Sequence, residues 1–322
     1  MTDSIALADI AEHAARSVSD YLVRAFRSPG NVKYKADFHD VVTVHDTEAQ
    51  RRIVEVILAQ APDSLIVGEE SAELISADGT VREAGDDDVL WYVDPIDGTS
   101  NFAIGFDHWC VSIAAARHGE VIAAVIYQPT AGILYRADET GAYCNGERMR
   151  VSQAPIAQGV FSTSFPSARG GDEAAALGFL RLVRETRSVR RPGSTALSLA
   201  DVAAGHFLAT FNMDTNPWDV AAGILLVQRA GGIYLGFDDV DNPSTPTDGT
   251  RLYTRDLALA TNYAAGGTPE AAAFCLEIMG RADLAESARR ASAAAGNGAS
   301  AATAKAASAA TSNETTSEDS DD

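Results

Sequence analysis

The chain has 322 residues, 45 of them acidic against 25 lysines and arginines, which leaves a formal net charge of −20. So acidic a surface argues against nucleic acid or an anionic membrane as partner, because both repel it. With 46% hydrophobic and 22% charged residues the chain can build a substantial core, which excludes disorder as a description of the whole.

In chain order, Ile5, Leu7, Ala8, Ile10, Ala11, Ala14, Ala15, Val18, Tyr21, Leu22 and Phe26 recur at helical spacing and predict an amphipathic helix over 4–27. Asp46 can cap a second helix running through Ile53, Val54, Ile57 and Leu58 toward Pro62. The apolar runs 65–67 and 89–93 predict buried strands, and each ends in acid, at Gly68-Glu69-Glu70 and at Asp94. Strands at 111–116, 121–127 and 133–136, with turn signals His118-Gly119 and Asn145-Gly146, predict an antiparallel meander. Beyond Val151, strands near 159–163, 187–191 and 257–261 and helices near 172–184, 194–204 and 217–230 predict a second α/β half. From about residue 291 the composition is almost wholly Ala, Ser, Thr, Gly and Asn and closes on Glu318-Asp319-Ser320-Asp321-Asp322, which predicts a disordered tail. The expected division is 1–150, 151–285 and a tail over 286–322.

Cys110, Cys144 and Cys275 form no CxxC pair and are odd in number, so neither a disulfide framework nor a zinc cluster is readable. They suit a reducing cytoplasm. The first residues carry Asp3, Asp9 and Glu12 where a secretory leader has a basic head, and no apolar run reaches the ~18 residues of a membrane span. A cytoplasmic protein is expected.

The chemistry concentrates in Trp91-Tyr92-Val93-Asp94-Pro95-Ile96-Asp97-Gly98-Thr99-Ser100-Asn101-Phe102, where two carboxylates follow a buried strand. Pro95 cannot continue a central strand, so a turn is expected in which Asp94 and Asp97 converge, with the Ile96 carbonyl as a third oxygen. Such hard oxygen donors suit Mg²⁺ rather than zinc. The backbone N–H groups of Gly98, Thr99 and Ser100 then offer a place for a phosphate oxygen. Asp-Pro and Asp-Gly are also ordinary turn formers, and neither Gly68-Glu69-Glu70 nor Trp218-Asp219 carries weight alone. Together, four carboxylates at three strand or helix ends beside a Gly-Thr-Ser turn have the composition of a multi-metal phosphoryl-transfer site.

These motifs, in their order and spacing, resemble the inositol monophosphatase family from the first helix to about residue 280. The resemblance implies a layered α/β fold, an alternating α-β-α-β-α sandwich of the inositol monophosphatase and sugar phosphatase type. It also implies a Mg²⁺-dependent, lithium-sensitive phosphomonoesterase, usually a homodimer, that hydrolyses a small phosphate ester with a metal-activated water and two or three ions per site. Carried onto this sequence, Glu69, Asp94 and the Ile96 carbonyl hold one metal, and Asp94, Asp97 and Asp219 a second. Thr99 and Glu69 position the attacking water, Asp46 holds Thr99, and the Gly98 and Thr99 amides hold the phosphate. Gly193, Ser194 and Thr195 fall where the family contacts the substrate skeleton, and Lys35 and Asp40 in a loop near a weaker third metal.

One departure bears on the substrate. Seven residues before Asp219, where inositol-specific members carry a glutamate that contacts ring hydroxyls, stands Asn212, so the resemblance makes Asn212 and Asp219 substrate-binding residues, with Asp214 two residues on as a candidate substitute for that glutamate. Inositol-1-phosphate leads, with histidinol phosphate, fructose 1,6-bisphosphate and 3′-phosphoadenosine 5′-phosphate behind it. The alternative of another class is a non-catalytic regulatory binding protein acting through its acidic tail.

Overall fold

Helix α1 (Ser4–Ser17) and helix α2 (Ser19–Phe26) divide the single helix expected over 4–27. The Ser17 hydroxyl donates to the Ala14 carbonyl at 2.7 Å, a local bond of the kind that competes with the helical ladder. The computed structural model of the chain describes residues 4–26, 32–34, 41–76, 79, 82, 84–166, 173–238, 251–252, 256–286 and 289. Lys35, Asp40 and the tail expected from about 291 lie outside them.

Strands β1 (Val32–Tyr34) and β2 (Val41–Thr43) pair antiparallel and lead into α3 (Val44–Gln60). Asp46 is not the cap of this helix as expected. Thr43 is, and Asp46 at the third helical position completes a capping box, accepting from the Thr43 backbone N–H at 2.8 Å.

The first sheet follows with β3 (Leu65–Gly68), β4 (Ser71–Ile75) and β5 (Leu90–Asp97), the short helix α4 (Thr99–Ile104), then β6 (Cys110–Arg117), β7 (Glu120–Gln128), β8 (Ile133–Asp138), β9 (Gly141–Cys144) and β10 (Glu147–Arg148). Its order is β10-β9-β8-β7-β6-β5-β3-β4. The meander is as expected: His118 and Gly119 have φ of 53° and 73°, and Asn145 and Gly146 48° and 85°, the left-handed pairs that tight hairpins require.

The second sheet takes β11 (Val160–Thr163), α5 (Glu173–Glu185), β12 (Ser188–Arg190), α6 (Thr195–Ala203), β13 (Ala209–Asn212), α7 (Pro217–Arg229), β14 (Ile233–Asp238), β15 (Arg251–Leu252), β16 (Asn262–Gly266) and α8 (Pro269–Ile278). Its order is β12-β11-β13-β16-β14-β15, parallel through β12, β11 and β13 and antiparallel beyond. The strand expected at 257–261 is instead a 3-10 turn at Leu257–Leu259, and the strand begins at Asn262. A short apolar run has no periodicity to separate the two, and Asp256 enters it with φ 51°, its N–H bonded to the Gly119 carbonyl at 3.0 Å.

The layers alternate α-β-α-β-α. Helices α1 and α3 bury Leu7, Ile53 and Ile57 with Trp91 and Val111 on the outer face of the first sheet. Helices α6 and α7 lie between the sheets, with Leu199, Ile224 and Leu226 among Tyr92, Ile126 and Tyr263. Helix α8 covers the far face of the second sheet, Phe274 against Phe161. In the middle layer the two helices approach closely at Gly223, where an added Cβ would lie 2.4 Å from Leu199 Cβ. Gly223→Ala is therefore expected to destabilise the fold by about 1–3 kcal/mol, read as a lower melting temperature by circular dichroism.

Candidate active site

Strands β3 and β5 run parallel with Gly68 opposite Val93, so the next residues, Glu69 and Asp94, come side by side at the sheet's rim. The Glu69 N–H closes this end on the Val93 carbonyl at 3.1 Å. In a regular strand, residues three apart point to opposite faces. Here Asp94 pairs with Ser112 and Asp97 with Cys110, three residues of β5 against two of β6. This bulge flips the parity, so both aspartates face the middle helical layer. Pro95 sits in the bulge without ending the strand; the turn comes at Gly98, not at Pro95 as expected.

The third carboxylate arrives from the other half of the chain. Asn216 caps α7, and Asp219 in its first turn accepts from the Asn216 N–H at 2.8 Å. One carboxylate oxygen from each of Asp94, Asp97 and Asp219 lies within 4.8 Å of the others. Asp94 and Asp97 are buried and Asp219 half-buried.

Asp97 Oδ2 accepts from the Ser194 hydroxyl and, at 2.8 Å, from the Ala196 N–H, while Oδ1 lies 3.3 Å from the Thr195 nitrogen. The Gly193-Ser194-Thr195 segment thus seats a carboxylate of the first sheet on the start of α6. Gly98 takes φ 96°, and a Cβ there would lie 3.1 Å from the His108 carbonyl and 3.3 Å from that of Gly193. Thr99 begins α4, its hydroxyl 3.0 Å from Asp46 Oδ1 and 2.9 Å from the Ile96 carbonyl. Asp46 Oδ2 accepts from the Thr43 hydroxyl at 2.6 Å. The first N–H groups of so short a helix have no carbonyl one turn back.

Asn212 is buried and engaged with the protein. Its carbonyl accepts the Ser164 N–H at 2.5 Å, and its amide reaches Tyr263 Oη at 3.3 Å and Thr195 Oγ1 at 3.4 Å. Asp214 is exposed at φ 56°.

The profile of the inositol monophosphatase family matches residues 4–280. The fructose-1,6-bisphosphatase/inositol-1-monophosphatase of Thermotoga maritima is 39% identical over 69% of this chain and 81% of its own. The Nus factor SuhB of Escherichia coli is 37% identical over 71% of this chain and 84% of its own. The chain belongs to the inositol monophosphatase family. A solved Thermotoga maritima IMPase superposes with a TM-score of 0.67 at 32% identity, covering 84% of this chain and 97% of that one. The extragenic suppressor protein suhB from Bartonella henselae gives 0.68 at 30% identity, over 81% and 93%. The fold and the phosphomonoesterase class of this inositol monophosphatase family member follow.

Packing several carboxylates into one buried site is unfavourable without a counter-charge. Burial raises the Asp94 carboxyl well above its ordinary range, and the charges of Glu69, Asp97 and Asp219 add to it. Burial also raises Asp97, against the hydrogen bonds from Ser194, Ala196 and Thr195. Asp219 is pushed up to about 8, by burial first and then by the charge of Asp97. An all-oxygen, mutually repelling donor set of this kind fits a hard divalent cation. Since these carboxyls hold protons in the folded state that the unfolded chain releases near pH 4, their contribution to metal-free stability is present at low pH. It is lost as pH rises toward about 8. In EDTA the melting temperature is expected to fall by roughly 5 °C between pH 5.5 and 8.5, and saturating Mg²⁺ is expected to remove the decline; a flat metal-free profile would contradict it.

Two residues at the site escaped the sequence reading. Thr43 was findable, because Thr followed three residues later by Asp before an apolar run is a capping-box pattern. Gln50, whose side-chain carbonyl accepts the Glu70 N–H at 2.9 Å, was not: a glutamine inside a helix carries no positional signal.

Proposed function

We propose that this protein hydrolyses a small phosphate monoester in a Mg²⁺-dependent reaction, with inositol-1-phosphate as the leading substrate. The observation that carries the reading is the convergence of Asp94, Asp97 and Asp219 within 4.8 Å of one another beside the Thr99–Asp46 pair. Glu69, Asp94 and the Ile96 carbonyl are the donors for one ion, and Asp94, Asp97 and Asp219 for a second; the donor chemistry supports both assignments. Bound there, Mg²⁺ supplies Lewis acidity to the phosphate and to the attacking water.

The chain's own groups do the rest. Thr99 directs its one proton to Asp46 Oδ1 or to the Ile96 carbonyl, which leaves its oxygen lone pairs to accept a hydrogen bond from the water. Asp46 holds Thr99 in that orientation through a carboxylate itself fixed by Thr43. Glu69 is the second group that aligns the water. The Gly98 and Thr99 amides take the phosphate oxygens, on a turn that needs glycine at 98 for its φ of 96° and for the nearby His108 and Gly193 carbonyls. Seating of Asp97 by Ser194 and Thr195 turns that carboxylate's remaining lone pairs toward the cluster. Thr195 and Asp219 border the ester's organic group, with Gly193, Ser194 and Asn212 behind them.

The name of the Thermotoga relative supports fructose 1,6-bisphosphate as the next substrate to test, ahead of histidinol phosphate and 3′-phosphoadenosine 5′-phosphate. Family membership supports a lithium-sensitive homodimer, checked by inhibition with LiCl and by sedimentation. The reading includes a cytoplasmic location; among the described residues no helix is long and apolar enough to cross a membrane. The deciding experiment is phosphate release from these four esters with and without Mg²⁺. Release from one ester, only with Mg²⁺, supports the reading and names the substrate. Mg²⁺ binding without turnover of any phosphate ester, in this set or a wider screen, overturns it and favours a regulatory binding role, which the name of the Escherichia coli relative also suggests.

A further inference from the structure

The turn that carries Glu69 lacks the residue types that favour so short a connection. Gly68 of β3 pairs with Ser71 of β4, so Glu69 and Glu70 form a hairpin connection only two residues long. Connections of that length close best with left-handed residues, usually Gly or Asn, and neither glutamate has a positive φ. Two adjacent carboxylates at the edge of an acidic cluster also repel one another.

A side chain of α3 braces the turn. Gln50 is buried at 5% exposure, and its side-chain carbonyl accepts the Glu70 N–H at 2.9 Å while its amide donates to Ser71 Oγ at 2.9 Å. The amide lies flat on Gly68, where an added Cβ would fall 2.3 Å from Gln50 Oε1 and 2.7 Å from Nε2. Gln50 stands four residues after Asp46, on the same face of α3. One helix face therefore holds both water-aligning turns, that of Thr99 through Asp46 and that of Glu69 through Gln50.

We propose that Gln50 is a positioning residue for the metal site, acting through Glu69, with Gly68 required as glycine to admit its amide. The proposal rests on the metal-binding reading of the cluster. It is tested by titrating Mn²⁺ into the metal-free full chain by calorimetry, which needs no turnover. Gln50→Leu keeps the volume and loses both contacts, and it is expected to weaken Mn²⁺ binding by about 10–100-fold with its circular dichroism spectrum unchanged. Gln50→Glu keeps one oxygen for the Glu70 N–H and a second for the Ser71 hydroxyl to donate to, so it is expected to recover most of the affinity. A merely structural glutamine would lower the melting temperature without moving Mn²⁺ affinity.

Wild-type affinity in folded Gln50→Leu overturns the proposal, as does a Gln50→Glu variant no better than Gln50→Leu. Should Gln50→Leu fail to fold, Gly68→Ala decides, since it displaces the amide while leaving Gln50 in place: weakened binding supports the proposal and wild-type binding overturns it. Absence of Mn²⁺ binding by the wild type defeats this inference together with the metal reading. Binding without turnover of any phosphate ester defeats only the proposed function.

Discussion

Asp94→Asn is expected to abolish Mg²⁺-dependent phosphate release, a loss of at least about 10³-fold, while raising the melting temperature of the metal-free protein. Both effects have one cause. Asp94 lies buried at the centre of the cluster, where Glu69, Asp97 and Asp219 all disfavour its charge. The asparagine oxygen keeps the 2.9 Å bond from the Ile96 N–H, and its new amide can donate to the neighbouring carboxylates. The variant thus folds with less internal repulsion but lacks the anion that the proposed assignment gives to both metal positions. Turnover and a melting curve in EDTA, on one preparation, check both halves. Activity within tenfold of wild type would remove Asp94 from the mechanism, and an unchanged or lower metal-free melting temperature would show that repulsion is not what the metal relieves.

Thr99→Ala is expected to lower kcat by about 10²-fold, with KM and Mg²⁺ half-saturation nearly unchanged. The Thr99 hydroxyl lies 3.0 Å from Asp46 Oδ1, and in the proposed mechanism it aligns the water and supplies no carboxylate to the cation. Thr99→Ser keeps that hydroxyl and is expected to restore most of the rate. Asp46→Ala is a poorer probe, because it also removes the capping box of α3, worth about 1 kcal/mol. Equal losses in kcat and in Mg²⁺ affinity on Thr99→Ala would place Thr99 in metal binding instead.

The legible features share a property: each is encoded within a few residues. The meander was readable because His118-Gly119 and Asn145-Gly146 are turn signals in themselves, and α7 because an unbroken apolar run lies between an Asp at the helix start and the Gly231-Gly232 stop. Strands β13 and β14 were missed. β14 is Ile-Tyr-Leu-Gly-Phe-Asp and β13 Ala-Thr-Phe-Asn, runs too short to declare a period, and their strand form depends on pairing with β16.

At the site the same division holds. The sequence by itself determined that acids stand at the ends of β3 and β5 and that the motif set belongs with phosphate and hard-cation chemistry, but it put the turn at Pro95 where the structure turns at Gly98. Only the tertiary structure decided how the acids meet. A bulge around Pro95 put Asp94 and Asp97 on one face, and α7 brought Asp219 in from 122 residues beyond Asp97. The start of α6 seated Asp97, and Gln50 propped the Glu69 turn. The physical reason is that backbone preferences act within a turn or two of chain, whereas convergence on a metal depends on which strands pair, in what register, and which helices pack between them.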